Sequence, residues 1–342
     1  MATVPARAGG PALGEPLLEV SGLCADYGVG SQAVHAVLDT DLVLRRGEVL
    51  GLAGESGSGK STLAYAITRL LRPPGLITGG DVRYYTDQGH TVDLLAAGED
   101  ELRVLRWSQI SVVMQSAMNA LNPTLTIGAQ LADACKAHTE WNDERIAERS
   151  AEVLAMVAID AAHLKSYPFQ LSGGMRQRAM IAMALLLEPQ LVIMDEPTSA
   201  LDVVAQRSLM HQVQTLRHQL GFAVIFVTHD MSVVSHYSDR LAVMYAGEVV
   251  ELGPTREVFD RPEHPYSQGL MEAFPSLLGE AKQLTGIAGN PPSLVDPPDG
   301  CLFAPRCAYA NDECRTVRPE LISYGDHQVR CHLVARTRKN DA

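Results

Sequence analysis

The most constraining feature of this sequence is a glycine-rich loop between an apolar strand and a helix. The run from Glu48 to Ala53 is typical of a buried strand, and a helix is expected to begin near Ser61. Glycines let backbone N–H groups converge on phosphate oxygens, and a helix N-terminus adds positive potential. The pattern predicts a P-loop in which Lys60 neutralises β- and γ-phosphate oxygens and Ser61 binds Mg²⁺. The predicted phosphate-binding residues are Gly54, Glu55, Ser56, Gly57, Ser58, Gly59, Lys60, Ser61 and Thr62.

A second apolar strand ends in two adjacent carboxylates. Leu191 to Met194 is followed directly by Asp195 and Glu196. A carboxylate at the end of a strand beside a P-loop is placed to assist Mg²⁺, which predicts that role for Asp195. Glu196, one residue later, is predicted to act as the catalytic base for the water that attacks the γ-phosphate.

Length and charge limit what the rest of the chain can do. Its 342 residues correspond to about two domains at ~150 residues each. With 28 basic and 40 acidic residues the formal net charge is −12 at pH 7, which disfavours a nucleic-acid partner. The longest apolar run, Ala179 to Leu187, falls short of the ~20 residues of a membrane-spanning helix. The first residues lack the apolar segment of a secretory signal, so we expect the chain in the cytosol.

Strand and helix patterns alternate along the chain, which predicts a largely parallel sheet covered by helices. Leu131 to Ile159 is predicted to be a helical insertion in which Asn142 caps a helix. Repeated prolines after Pro254 predict a linker and a small separate C-terminal module. The remaining predicted elements are strands at Leu17 to Val20, Ala33 to Val37, Asp41 to Leu44 and Phe222 to Thr228, helices at Met175 to Leu187 and Leu209 to Leu220, and a hairpin at Leu241 to Leu252.

The segment between the two strand-end motifs carries a specific resemblance. Leu171-Ser172-Gly173-Gly174 opens a helix and offers a hydroxyl and bare N–H groups at its N-terminus. With the motifs above, it resembles the signature of the ATP-binding subunits of ATP-binding cassette (ABC) transporters, and the resemblance covers about residues 16–332. In that family the predicted nucleotide-binding residues also include Tyr27 against adenine, Gln115 towards Mg²⁺, Asp195, the signature residues Ser172, Gly173 and Gly174, and Asp202 of the Ser199-Ala200-Leu201-Asp202 loop. His229 is implied as a catalytic residue that contacts the γ-phosphate.

The resemblance implies an α/β fold, a P-loop NTPase core with a helical subdomain and an antiparallel β part. Its expected boundaries are a disordered N-terminus at 1–15, an ATP-binding domain at 16–258 with the helical subdomain at about 116–188, and a Cys-containing C-terminal module at 259–342. It also implies that ATP and Mg²⁺ are the cofactors and that each site pairs the P-loop of one subunit with the signature of a second ABC ATPase subunit, expected to be a paralogue.

Four cysteines crowd into the last 42 residues. In a reducing compartment such crowding favours a metal or cluster over disulfides. The predicted ligands are Cys301, Cys307, Cys314 and Cys331, for which a [4Fe–4S] cluster is favoured by the long spacings, with Zn²⁺ or no metal as alternatives.

This C-terminal segment, with His264-Pro265-Tyr266 and Pro305-Arg306-Cys307, is similar to the tail of dipeptide and oligopeptide importer ATPases, some of which carry an iron–sulfur cluster. The resemblance implies ATP-driven uptake through two transmembrane permeases and an extracellular solute-binding protein, at the cytoplasmic face of the plasma membrane. The alternative substrates are oligosaccharides, because the run after Gln115 resembles that of relatives linked to oligosaccharide uptake, or nickel. An ABC ATPase without a transporter and a metal-sensing module are further alternatives.

Overall fold

The computed structural model describes residues 14–115, 120–199, 201–273 and 286–340. The expectation of disorder at 1–15 falls almost entirely outside these residues. The strands are β1 (Pro16–Tyr27), β2 (Val34–Arg45), β3 (Val49–Ala53), β4 (Gly75–Tyr85), β5 (Thr91–Asp93), β6 (Ile110–Val113), β7 (Leu191–Asp195), β8 (Ala223–Val227), β9 (Arg240–Tyr245), β10 (Glu248–Pro254), β11 (Ile322–Tyr324) and β12 (His327–Val329). The α-helices are α1 (Lys60–Ile67), α2 (Glu99–Leu105), α3 (Ile127–His138), α4 (Asp143–Met156), α5 (Gly173–Ala184), α6 (Val203–Leu220), α7 (Met231–Tyr237), α8 (Thr255–Asp260), α9 (Pro265–Glu272), α10 (Asp312–Thr316) and α11 (His332–Asn340).

The main sheet has eight strands in the order β11-β12-β10-β9-β3-β8-β7-β6. Strands β9, β3, β8, β7 and β6 are parallel to one another, as the alternation of strand and helix predicts. Both faces of this sheet are covered: Val192 and Met194 of β7 face one core cluster, while Leu191 and Ile193 face the other. Burial on both faces explains why these strands are continuous apolar runs.

The second sheet is antiparallel, with the order β2-β1-β4-β5. Its strand β2 is continuous, whereas the sequence predicts two short strands at Ala33 to Val37 and Asp41 to Leu44. The β1–β2 register shifts between Leu23 and Ala25, opposite Thr40 and Val37, and Asp39 has a positive φ of 42°. A bulge at this point breaks the alternation of side chains, so one strand has the sequence pattern of two.

Three helices between β6 and β7 form the predicted helical part. Asn142 caps α4 by accepting a hydrogen bond from the backbone N–H of Arg145 at 2.9 Å, as expected. Helix α5 ends at Ala184, three residues before the predicted end. The buried Arg149 of α4 donates to the carbonyls of Leu185 and Leu186 at 3.2 and 2.8 Å. These carbonyls therefore bond to an arginine side chain instead of continuing the helical ladder.

The C-terminal residues join the main sheet rather than forming a separate unit. The β11–β12 hairpin pairs with β10 through β12. The buried Phe303 belongs to the same core cluster as the residues of α5 and α6. The helices of the described ranges include none with the length and hydropathy needed to cross a membrane.

Candidate active site

The glycine-rich loop joins β3 to α1, and two of its glycines are required by close backbone contacts. Gly54 and Gly59 have φ values of 148° and 99°. A Cβ atom would lie 2.1 Å from the carbonyl oxygen of Met244 at Gly54, and 2.2 Å from that of Ala36 at Gly59. Any side chain at these positions would collide with backbone, so the loop conformation depends on glycine.

Lys60, the first residue of α1, is buried and points into this loop. Its Nζ donates to the carbonyl oxygens of Gly54 and Glu55 at 2.9 and 2.8 Å, and lies 3.3 Å from Ser58 Oγ. Burial lowers the pKa of Lys60, while the carboxylates of Glu196, Asp195 and Glu55 act against that shift. The ammonium group is therefore held at the centre of the loop by neutral oxygens.

Ser61 and Asp195 meet where β7 ends beside α1. Ser61 Oγ donates to Asp195 Oδ1 at 2.9 Å, and Tyr65 Oη donates to Asp195 Oδ2 at 2.8 Å. Asp195 is fully buried, and burial raises its pKa although both hydrogen bonds act in the opposite direction. Tyr65 was not among the predicted residues; its position one helical turn after Ser61 is the sequence signal that could have revealed it.

Glu196 is bonded on both carboxylate oxygens. Gln115 Nε2 donates to Oε2 at 2.8 Å, and His229 Nδ1 lies 3.1 Å from Oε1. The backbone of Glu196 has a positive φ of 47°, and its N–H donates to the carbonyl of Val227. The structure thus brings together the predicted base, the predicted Mg²⁺-sensing glutamine and the predicted γ-phosphate histidine, although they are far apart in sequence.

The other predicted ATP-site residues lie further out. Tyr27 is half-buried at the end of β1, with its Oη 3.4 Å from Thr62 Oγ1. Ser172 is exposed and caps α5 by accepting from the N–H of Met175 at 3.3 Å, so Gly173 and Gly174 form the first turn of that helix. Asp202 is exposed and caps α6. Ala200 of the same loop lies outside the described residues.

The four C-terminal cysteines are free thiols that line one cavity of about 20 Å³. Burial raises the pKa of Cys301 to about 11, and also raises the pKa values of Cys307 and Cys331. Within the described ranges, no group of three or more His, Cys, Asp or Glu side chains has an arrangement that could hold a metal ion. The predicted metal-binding site at these four cysteines is therefore not supported by the described residues.

Two further side chains, which the sequence motifs did not predict to lie near the P-loop, contact it. Tyr266 and Arg306 both hydrogen-bond to Glu55. They belong to the His-Pro-Tyr and Pro-Arg-Cys motifs that carry the resemblance of the tail, and those motifs were the available signal.

Comparison with known proteins identifies the family. The ABC transporter family model matches residues 37–199, and the model for the oligopeptide/dipeptide transporter C-terminal region matches residues 250–314. A protein named as a peptide import ATP-binding protein in Brucella ovis is 42% identical over 323 residues, which cover 92% of this chain and 95% of the relative. The chain belongs to the ATP-binding proteins of ABC transporters.

Other ABC proteins agree with this assignment. The dipeptide transport ATP-binding protein DppD of Caldanaerobacter subterraneus is 41% identical over 320 residues, or 93% of this chain and 97% of that protein. The ATP-binding cassette MJ0796, solved in a post-hydrolysis state with ADP and phosphate, matches with a TM-score of 0.61 and 29% identity over 70% of this chain and 99% of that chain. The predicted family, ABC ATPase fold and ATP-hydrolase class are confirmed.

The contact between Tyr65 and Asp195 predicts an effect on Mg²⁺ use by this ABC ATPase. In the assembled transporter, Tyr65→Phe should raise the Mg²⁺ concentration for half-maximal ATP hydrolysis about tenfold, because the carboxylate loses a partner that orients it. Tyr84→Phe is the matched control, since it removes a buried hydroxyl bonded to Gln109 outside the site. Equal Mg²⁺ requirements for Tyr65→Phe and wild type would contradict this role.

Proposed function

We propose that this ABC ATPase powers the uptake of dipeptides and oligopeptides through membrane permeases. The observation that carries the proposal is the match of two regions of the chain, the ATP-binding region at 37–199 and the oligopeptide/dipeptide transporter region at 250–314. The names of the relatives, peptide import and dipeptide transport proteins, support peptides over the oligosaccharide and nickel alternatives.

In the proposed reaction, water attacks the γ-phosphorus of ATP, the bond to the β–γ bridging oxygen breaks, and ADP and phosphate leave. Glu196 accepts a proton from the attacking water, and Gln115 and His229 hold its carboxylate in place. Lys60 neutralises charge on the transferred phosphoryl group. Ser61 and Gln115 would ligate Mg²⁺, with Asp195 behind Ser61, and the bound ion would neutralise β- and γ-phosphate oxygens.

Hydrolysis in this proposal needs a second ABC ATPase subunit. The signature residues Ser172, Gly173 and Gly174 would bind the γ-phosphate of ATP held by that subunit. The exposure of Ser172 at the N-terminus of α5 supports this assignment. Val203 and Val204, next to Asp202, are 65% and 79% exposed, and a closed pair of subunits would bury such apolar side chains.

An apolar groove beside Gln115 supports the proposal that this chain binds permeases. It has a volume of about 320 Å³ and is lined by residues of α2, β6 and α5 and of the loops on either side of β6, among them Leu102, Trp107, Met114, Met180 and Met183. Met114 immediately precedes Gln115, so an element of a permease in this groove would touch the segment after β6 that carries the residue bonded to Glu196. The residues at 116–119 lie outside the described part of the chain. We propose that this subunit lies at the cytoplasmic face of the plasma membrane, bound to the permeases, and that the solute-binding protein acts on the extracellular side.

Uptake measurements test the proposed function. Vesicles that contain the permeases, the solute-binding protein, this subunit and the second ABC ATPase subunit should accumulate labelled oligopeptide when ATP is supplied. Glu196→Gln should bind ATP as the wild type does but lower uptake by about 100-fold or more, because removal of a general base costs 10²–10⁴ in rate. ATP-driven uptake of an oligosaccharide or of Ni²⁺, and not of peptide, would contradict peptide import, and full uptake by Glu196→Gln would exclude Glu196 as the base.

We also infer that the four C-terminal thiols hold a [4Fe–4S] cluster. The donor set fits, because each iron of such a cluster takes one thiolate and the thiols need not converge on one ion. All four line the same cavity. That cavity, about 20 Å³, is close to the space of a single water, so cluster binding requires the thiol side chains to rotate outward.

Anaerobic purification tests the cluster. The protein should be brown and contain about four iron and four sulfide atoms per chain. Cys314→Ser should lose most of this iron, whereas Cys24→Ser should keep it, because Cys24 lies on β1 away from the cavity. A colourless protein with reduced thiols, or one with stoichiometric zinc in place of iron, would contradict the assignment.

A further inference from the structure

A buried arginine of the cysteine-rich region, here residues 286–340 with the four C-terminal cysteines, is bonded to the P-loop. Arg306 Nη1 lies 2.9 Å from Glu55 Oε2, and Nη2 lies 3.1 Å from Glu55 Oε1. The Arg306 side chain is 4% exposed and that of Glu55 28% exposed. A bidentate, charge-assisted contact of this kind fixes the orientation of the two side chains as well as the distance between them.

Glu55 connects this arginine to the phosphate-binding lysine. Its backbone N–H donates to Tyr266 Oη at 2.9 Å, and its carbonyl oxygen accepts from Lys60 Nζ at 2.8 Å. The same residue is therefore held by its side chain, its N–H and its carbonyl. Because the Lys60 ammonium is bonded to that carbonyl, a shift of Glu55 would displace the group that neutralises the phosphates.

Arg306 is itself fixed by the C-terminal region. Its Nε donates to the carbonyl of Ala288 at 2.9 Å, and its Nη2 donates to that of Ile287 at 3.0 Å. Its guanidinium carbon lies 5.6 Å from the centroid of the Tyr245 ring. The next residue, Cys307, lines the thiol cavity. The arginine thus has one set of contacts in the cysteine-rich region and another on the P-loop.

Aromatic packing holds the same region against the loop. Phe303 meets the rings of Tyr245 and Tyr266 at centroid distances of 5.2 and 5.5 Å. Pro291, Pro292 and Leu294 share a cavity of about 160 Å³ with Glu55 and its neighbours up to Ser58. The Arg306–Glu55 ion pair is therefore a charged contact between the segment around the buried Phe303 and a loop that must adopt one conformation to bind phosphate.

We propose that Arg306 is a positioning residue for ATP, which holds the P-loop through Glu55 in the conformation that binds phosphate. It does not touch the nucleotide; it acts by keeping Glu55, and through it Lys60, in place before ATP arrives, so that less ordering is needed on binding. Because coupling between two sites is reciprocal, bound ATP stabilises the packing of residues 286–307 by the same factor. The C-terminal region is therefore part of the ATP-binding machinery.

The test measures ATP affinity and turnover in the assembled transporter, and it rests on the proposed function. Arg306→Gln should raise the KM for ATP about tenfold, equivalent to about 1.4 kcal/mol, and leave kcat within about twofold, because the residues around Glu196 are unchanged. Glu55→Gln, which removes the P-loop partner of the same ion pair, should raise the KM for ATP by a similar factor and leave kcat within about twofold. The double variant should be no worse than either single variant, because both remove one contact. Arg306→Lys keeps the charge without the fork and should give an intermediate KM.

Arg318→Gln is the matched control. It removes an ion pair between the C-terminal region and Glu248, 2.9 Å long, that does not involve the P-loop. It should leave the KM for ATP unchanged, and the thermal unfolding midpoint of every variant shows which of them are folded. Three results would overturn the proposal: an unchanged KM in Arg306→Gln and Glu55→Gln, an equal rise in Arg318→Gln, or additive effects in the double variant. Failure of the wild type to bind ATP would instead refute the proposed function.

Discussion

Parallel pairing of β3, β8, β7 and β6 is the constraint on which the site depends. Parallel strands place their carboxyl ends at one edge of a sheet, and in this chain those ends lead into Gly54, His229, Asp195 and Gln115. The hydrogen bond from Ser61 to Asp195 then ties α1 to β7. Residues separated by more than a hundred positions in sequence come within hydrogen-bond distance because the sheet brings them there.

Much of the site could be predicted because ATP chemistry is carried by short linear motifs. The P-loop and the Asp195-Glu196 pair each lie where a strand ends, and a strand that is buried on both faces has a recognisable apolar run. The bulge at Asp39 and the end of α5 could not be predicted, because each depends on a partner from another element. The contact of Arg306 with Glu55 spans 251 positions in sequence, and no local pattern encodes such a distance.

The cysteine-rich region and the ATP site share one β-sheet and one cluster of aromatic side chains. The β11–β12 hairpin extends the sheet that carries the P-loop, and Phe303 packs beside Tyr266, which accepts a hydrogen bond from Glu55. A change in the packing around the four thiols would therefore be transmitted to Lys60 through Tyr266 and Glu55. The positioning role that we propose for Arg306 would give this region a part in ATP binding.

We propose that this chain supplies one half of each of two composite ATP sites. The most direct measurement is a cryo-electron microscopy structure of the complete transporter, with Glu196→Gln and bound ATP. ATP held at the P-loop of the partner subunit should contact Ser172 and Gly174 of this chain at about 3 Å, the ordinary hydrogen-bond distance. A closed complex in which each triphosphate is bound by one chain alone would contradict it.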